Sequence, residues 1–282
     1  EIVMISTLDH LIVAVKDLEE AEKNYKKIFG ADPVWRGEHK ELGTANVIFN
    51  LENTYLELLS ANGDGLGAAL VNHYLEKDGE GLIGIVFGTN DLNEVAKSIK
   101  DKGFNIGDIT EGEGTNSDES EKRKWKNLFL PPELTRGLFS FIIQHTDGNL
   151  PSSKHVIQSA VNKLDHIVIN TNDADGFIEI YKNVFGLRLA LDKTIEAWNR
   201  RMLFFRFNKT TIEVIEENDD KEPSDKLWGL AWAVEDLQET YARLTKEGLE
   251  LTEVKPGIKD KTLVSTIRSH THGVPTLIIQ HL

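Results

Sequence analysis

Thr7-Leu-Asp-His-Leu-Ile-Val-Ala-Val15 returns later in the chain as Lys163-Leu-Asp-His-Ile-Val-Ile-Asn-Thr171. One constant offset superposes the two stretches. It also pairs Asp17 with Asp173, Tyr25-Lys26 with Tyr181-Lys182, Phe29-Gly30 with Phe185-Gly186 and Glu57 with Glu213. Chance does not hold one register through residues of such different chemistry. Further along, Asp91-Leu92 matches Asp236-Leu237, Gly103 matches Gly248, and Ile142-Ile-Gln-His145 matches Ile278-Ile-Gln-His281. The chain is a tandem duplication.

Each half repeats a simpler unit. In the first, the apolar period reads as a strand at 8–15, a helix at 17–29 and strands near 33–38, 45–51 and 54–60. The unit then recurs as a strand at 83–88, a helix at 91–102 and strands near 104–109, 126–130 and 138–145. The period changes from two to 3.6 at Asp17 and Asp91, each placed to cap a helix. Gly30 and Gly103 stand where those helices should stop. Strand, helix, three strands therefore occurs four times. Asn149-Leu-Pro-Ser-Ser-Lys154 is polar and turn-rich, which places the linker there.

The 282 residues carry 46 acidic against 32 basic side chains, a net charge of −14 that repels nucleic acid and anionic membrane. With no cysteine, disulfides, thiol nucleophiles and thiolate metal sites are excluded. No apolar run reaches membrane-spanning length. Asp17, Glu19 and Glu20 follow the first apolar stretch closely, unlike a signal peptide. A cytoplasmic protein is expected.

The modular order resembles the vicinal oxygen chelate superfamily, which includes glyoxalase I, methylmalonyl-CoA epimerase, extradiol dioxygenases and bleomycin-resistance proteins. Leu8-Asp9-His10 followed by Asp17-Leu18, and Asn53-Thr-Tyr-Leu-Glu-Leu-Leu59, carry the resemblance. Gly43-Thr-Ala-Asn46 and Tyr55-Leu-Glu57 tie the first half to the glyoxalase-like branch. The fold implied is α+β. Four βαβββ modules form two glyoxalase-like domains, each a cupped mixed sheet with helices outside, at residues 1–148 and 163–282 with a linker at 149–162. In the superfamily, one ligand comes from the first strand of each module and one from its last.

Strand alternation puts His10 on one face with Ile12 and Ala14, and groups Tyr55, Glu57 and Leu59. A His and a Glu in apolar strands are costly to bury unless they coordinate or pair. The resemblance implies a divalent metal (Mn, Mg or Zn) on His10, Glu57 and Gln144, with Glu57 also the catalytic proton shuttle. His166, Glu213 and Gln280 form the corresponding secondary set. The same His–Glu pairs also read as buried hydrogen-bonded struts. Gly84 and Gly229 stand where metal-using relatives carry His, and one His per half argues against iron-dependent extradiol cleavage. No organic cofactor is expected.

The first half holds the longer insertions, near 61–80 and 111–125, the second read as a solvated loop or a lid. Asn46, Trp125 and Arg136 are its candidate substrate contacts, Arg136 either as a bidentate carboxylate grip or as a turn-end arginine. The expectation is a metal-assisted lyase or isomerase for a small oxygen-rich metabolite. The alternative is a metal-free small-molecule binding protein like the antibiotic-sequestering branch. Four modules in one chain suit a monomer or a homodimer.

Overall fold

The computed structural model describes residues 5–282; residues 1–4, with which the expected first domain begins, lie outside the described residues. The first half runs β1 (Thr7–Ala14), α1 (Leu18–Phe29), β2 (Trp35–His39), β3 (Thr44–Asn50), β4 (Tyr55–Ala61), α2 (Leu66–Asp78), β5 (Gly81–Gly88), α3 (Leu92–Asp101), β6 (Thr110–Thr115), β7 (Lys122–Phe129), α4 (Pro132–Thr135) and β8 (Phe139–Asp147). The second runs β9 (Lys163–Thr171), α5 (Ala174–Ile178), a π-helical turn (Glu179–Val184), β10 (Arg188–Ile195), a 3-10 turn (Glu196–Trp198), β11 (Arg200–Phe207), β12 (Thr210–Glu216), β13 (Asp225–Ala233), α6 (Leu237–Lys246), β14 (Lys255–Pro256), β15 (Thr262–Ile267) and β16 (Thr276–His281).

Each half is one eight-stranded mixed sheet, ordered β2-β3-β4-β1-β5-β8-β7-β6 and β10-β11-β12-β9-β13-β16-β15-β14. Two modules meet at the centre, where β1 and β5 pair antiparallel and each pairs in parallel with the last strand of its own module. Asp17 and Asp91 accept hydrogen bonds from the Glu20 and Glu94 amides, which satisfies first-turn donors of α1 and α3. Gly30 ends α1 in the left-handed region at φ 67°, a conformation that costs glycine no Cβ clash.

The two faces of each sheet differ. Leu11, Val13, Leu56, Leu58 and Phe87 join one apolar core shared with Ile167, Phe177, Tyr181 and Trp232 of the second half. Phe29 of α1 meets Trp232 of β13 edge-on with ring centroids 4.9 Å apart, so the halves are joined through the core on the helix side of the sheets. Trp232 is fully buried, whereas Trp198 and Trp228 are exposed.

The segment expected as a loop or lid over 111–125 is largely a hairpin, β6 and β7. Its turn reaches the other end of the sheet. Asn116 accepts a hydrogen bond from the Arg36 amide and donates to the Val34 carbonyl, and the Ser117 amide donates to the Arg36 carbonyl. These bonds draw the first sheet almost into a barrel. In the second half the counterpart of β6 is the two-residue β14.

Candidate functional site in the first cup

The concave face of the first sheet encloses a cavity of about 760 Å³ lined by His10, Asn46, Tyr55, Glu57, Arg123 and Trp125, among others. His10 and Ile12 face it from β1, while Leu11 and Val13 face the core. A register shift between Leu8 and His10 sits at Asp9. Asp9 accepts from His10 Nδ1 at 2.6 Å and from His145 Nε2 at 2.8 Å. Burial pushes the Asp9 carboxyl up, but the two histidine hydrogen bonds overcome it and hold the group well below the usual carboxylate range. With Nδ1 tied to Asp9, His10 is left Nε2 for the cup. The Tyr55 ring stacks on the imidazole at 4.4 Å and fixes its plane.

Glu57 lies on β4 beside Ile12 and opposite Ile48 of β3. Asn46 Nδ2 donates to Glu57 Oε2 at 2.8 Å, while Asn46 Oδ1 is buried without a partner. Arg123, on β7, was not foreseen. Its side chain is 5% exposed and its guanidinium stacks over Trp35 at 4.4 Å, with the Trp125 ring at 5.5 Å and the Tyr55 ring at 6.0 Å. Cation–π contacts offset roughly 0.5–2 kcal/mol each, against a cost of several kcal/mol for burying a charge. Trp125 lies flat against β6 because Gly112 has no Cβ to meet the indole.

Gln144 does not enter the cup. Residues Phe139, Phe141 and Ile143 of β8 face it, so Gln144 faces the helices, where its Oε1 accepts from the Leu92 amide at 2.9 Å and caps α3. Arg136 is also elsewhere. It spans the two halves, bonded to Asp173 Oδ2 (3.1 Å), Thr171 Oγ1 (3.0 Å) and Asp225 Oδ1 (3.0 Å). Of the predicted first-half residues, His10, Glu57, Asn46 and Trp125 share the cavity.

In the second half, His166 and His281 grip Asp165 at 2.8 and 2.6 Å. Glu213 pairs with His166 at 3.5 Å and with Lys259 at 3.1 Å. Gln280 caps α6 through the Leu237 amide at 2.8 Å. This carboxylate is already neutralised within the protein.

A family model described as glyoxalase-like domain matches residues 8–185, and one for the glyoxalase/bleomycin resistance protein/dioxygenase superfamily matches residues 165–264. The chain belongs to the glyoxalase-like domain family. It is 34% identical over 110 residues to the mitochondrial methylmalonyl-CoA epimerase of Dictyostelium discoideum, 38% of this chain and 63% of that one. The chain thus spans under two thirds of that relative's length. It is 31% identical over 104 residues to the ethylmalonyl-CoA/methylmalonyl-CoA epimerase of Cereibacter sphaeroides, 36% of this chain and 75% of that one. Among solved structures, a triple mutant of 4-hydroxymandelate synthase from Streptomyces coelicolor superposes with a TM-score of 0.72 at 14% identity, over 98% of this chain and 93% of that one. A Staphylococcus aureus hypothetical protein superposes with a TM-score of 0.67 at 12% identity, over 98% and 100%. These likenesses show the fold.

The glyoxalase-like frame allows a direct test of the expected metal site. Superposing Asp17 on Asp91 sets His10 over Gly84, and the matching pairs Ile12–Glu57 and Val86–Phe141 set Glu57 over Phe141. Even a Cβ at Gly84 would press on Phe139 and Ile12 at 3.0–3.1 Å. Among the described residues no group of three His, Asp or Glu converges to hold a cation. The donors present do not fit the three-ligand Mn, Mg or Zn site.

Proposed function

We propose that the first cup is the active site of an isomerase-type enzyme that moves a proton on the carbon next to a carbonyl of a small oxygen-rich molecule. The observation that carries this reading is a pair of proton-handling groups on one cavity, each anchored through one atom. Glu57 is held through Oε2 by Asn46, and His10 is held through Nδ1 by Asp9. Glu57 takes the proton from the carbon, and the C–H electron pair moves into the carbonyl. His10 Nε2–H donates to the oxygen as it gains enolate charge, while the Asp9 carboxylate steadies the imidazolium. Return of the proton from Glu57 to the former carbonyl carbon, while the adjacent hydroxyl gives its proton back to His10 and becomes the new carbonyl, completes the isomerisation. Loss of a leaving group from the same enolate would be the lyase outcome. Trp125 walls the cavity. The partial similarity to epimerases supports the isomerase class.

A second reading, a binding protein without turnover, draws on the apolar replacement of the second-module positions by Gly84 and Phe141. The test separates the two. Small α-hydroxycarbonyl compounds and 2-oxo acids are incubated with the protein in D2O, and loss of the proton signal beside the carbonyl is followed by NMR. Enzyme-dependent exchange that Glu57→Gln lowers at least about 100-fold is expected. Saturable binding without exchange across the panel would leave the binding-protein reading in its place.

A further inference from the structure

Arg123 has no part in that proton transfer, yet it is buried and lines the same cavity. Its Nε has no hydrogen-bond partner, and no carboxylate forms an ion pair with it among the described residues. Around the guanidinium lie Trp35 beneath it and Trp125 and Tyr55 beside it, with the Tyr55 hydroxyl within reach of part of its N–H edge and Nε left over. Stacking fixes the plane of a guanidinium and leaves its N–H edge for an acceptor in that plane, and a carboxylate fits such a fork. Asn127 also lines the cavity and keeps its Oδ1 buried and unpartnered. Phe129, Phe139 and Phe141 line the same cavity with mutually tilted rings and give it an aromatic wall.

The mouth has the opposite charge. Glu38, Glu41, Glu111 and Glu113 line the cavity from exposed positions, with Lys40 as their counter-charge. One deep cation behind an acidic rim, on a chain of net charge −14, suits a ligand with a single buried anionic group. It repels one that trails several phosphates through the mouth.

We propose that Arg123 anchors the carboxylate of a small free acid with an apolar body, and that the cup selects such acids over their coenzyme A thioesters. This names the substrate class of the proton-transfer site and rests on that reading for the site's chemistry, though the anchor itself is a matter of binding. The test uses one acyl group in three forms. Phenylacetate, phenylacetamide and phenylacetyl-CoA are titrated into the full chain by calorimetry, with Arg123→Gln and Arg123→Lys alongside.

Phenylacetate is expected to bind at least about tenfold more tightly than the other two. Arg123→Gln should erase that preference and Arg123→Lys should keep part of it. Phenylacetamide or phenylacetyl-CoA binding as tightly as phenylacetate would overturn the proposal, and this comparison needs only the unaltered protein should Arg123→Gln not fold. Arg123-dependent phenylacetate binding with no proton exchange on any acid would retain the anchor and sink the proton-transfer reading. Exchange on neutral carbonyl compounds that survives Arg123→Gln, without any preference for phenylacetate, would do the reverse.

Discussion

Asp9 works through two histidines, and its consequences can be separated by pH. Its carboxyl is held below the usual range, so it adds stability above its unfolded pKa of about 4 that is lost as pH falls below that value. Asp9→Asn should flatten the acid limb of a urea-midpoint profile. Because Asp9 fixes His10, the same change should slow proton exchange roughly 10–100-fold at neutral pH, while Asp165→Asn leaves the exchange rate unaltered. A slowing confined to Asp165→Asn would move the chemistry to the second cup. His10 and Glu57 were legible in the sequence because both recur in register in the second half. Asp9 lies at a register shift of β1 and does not line the cavity, so its role through His10 and His145 has no signal in the alternation of the strand.

At the scale of elements, helix caps and the apolar period place β1, α1, β4 and α3 within a residue or two of the expected bounds. The resemblance, which puts Gln144 at the ligand position of β8, misses the register: Phe141 is the residue that matches Glu57. Phe139, Phe141 and Ile143 take the cup face, and the polar Gln144 goes to the helix side because the Leu92 amide at the start of α3 needs an acceptor. Gln144→Ala should therefore cost about 0.5–2 kcal/mol in a denaturant melt and leave proton exchange per folded molecule intact. Exchange abolished at unchanged stability would restore Gln144 to the site. The expected strand at 104–109 is irregular, and the strand falls instead at β6, within the stretch expected as a loop, because Glu, Gly and Lys carry little strand preference. The strand expected at 126–130 is the end of a longer β7. The hairpin's strand character comes from pairing with β8 and from its tie to β2. Arg123 escaped notice for the same reason: in Lys122-Arg-Lys-Trp-Lys126 nothing but the observed pleat marks the odd positions as inward.

Across the whole molecule the halves share one core and one buried ionic tie. Arg136 ends α4 in the left-handed region and reaches Asp173, Thr171 and Asp225. Burial lifts the Asp225 carboxyl to about 6, with the Thr171 and Arg136 contacts pulling the other way. A raised folded value means that the folded state holds the proton more tightly. Asp225 then contributes stability below about pH 4 that is lost as pH rises through about 6. Asp225→Asn should remove that slope between pH 4 and 7. Arg136→Met, which strands the carboxylate, should lower stability by about 3–5 kcal/mol in urea titrations at pH 7 without changing phenylacetate affinity. An equal loss of affinity in the folded variant would return Arg136 to the ligand site.

The duplication leaves two cups that share a His, a Glu and an Asp but differ around the glutamate. In the first, Glu57 is held by a neutral amide above an open cavity. In the second, Glu213 is neutralised by Lys259 and His166. The most direct measurement is proton exchange in D2O by the unaltered chain, Glu57→Gln and Glu213→Gln under identical conditions, each normalised to folded protein. Exchange lost with Glu57→Gln and retained with Glu213→Gln is the predicted result. Exchange that survives Glu57→Gln would contradict the assignment of the first cup and of Glu57 as its proton carrier.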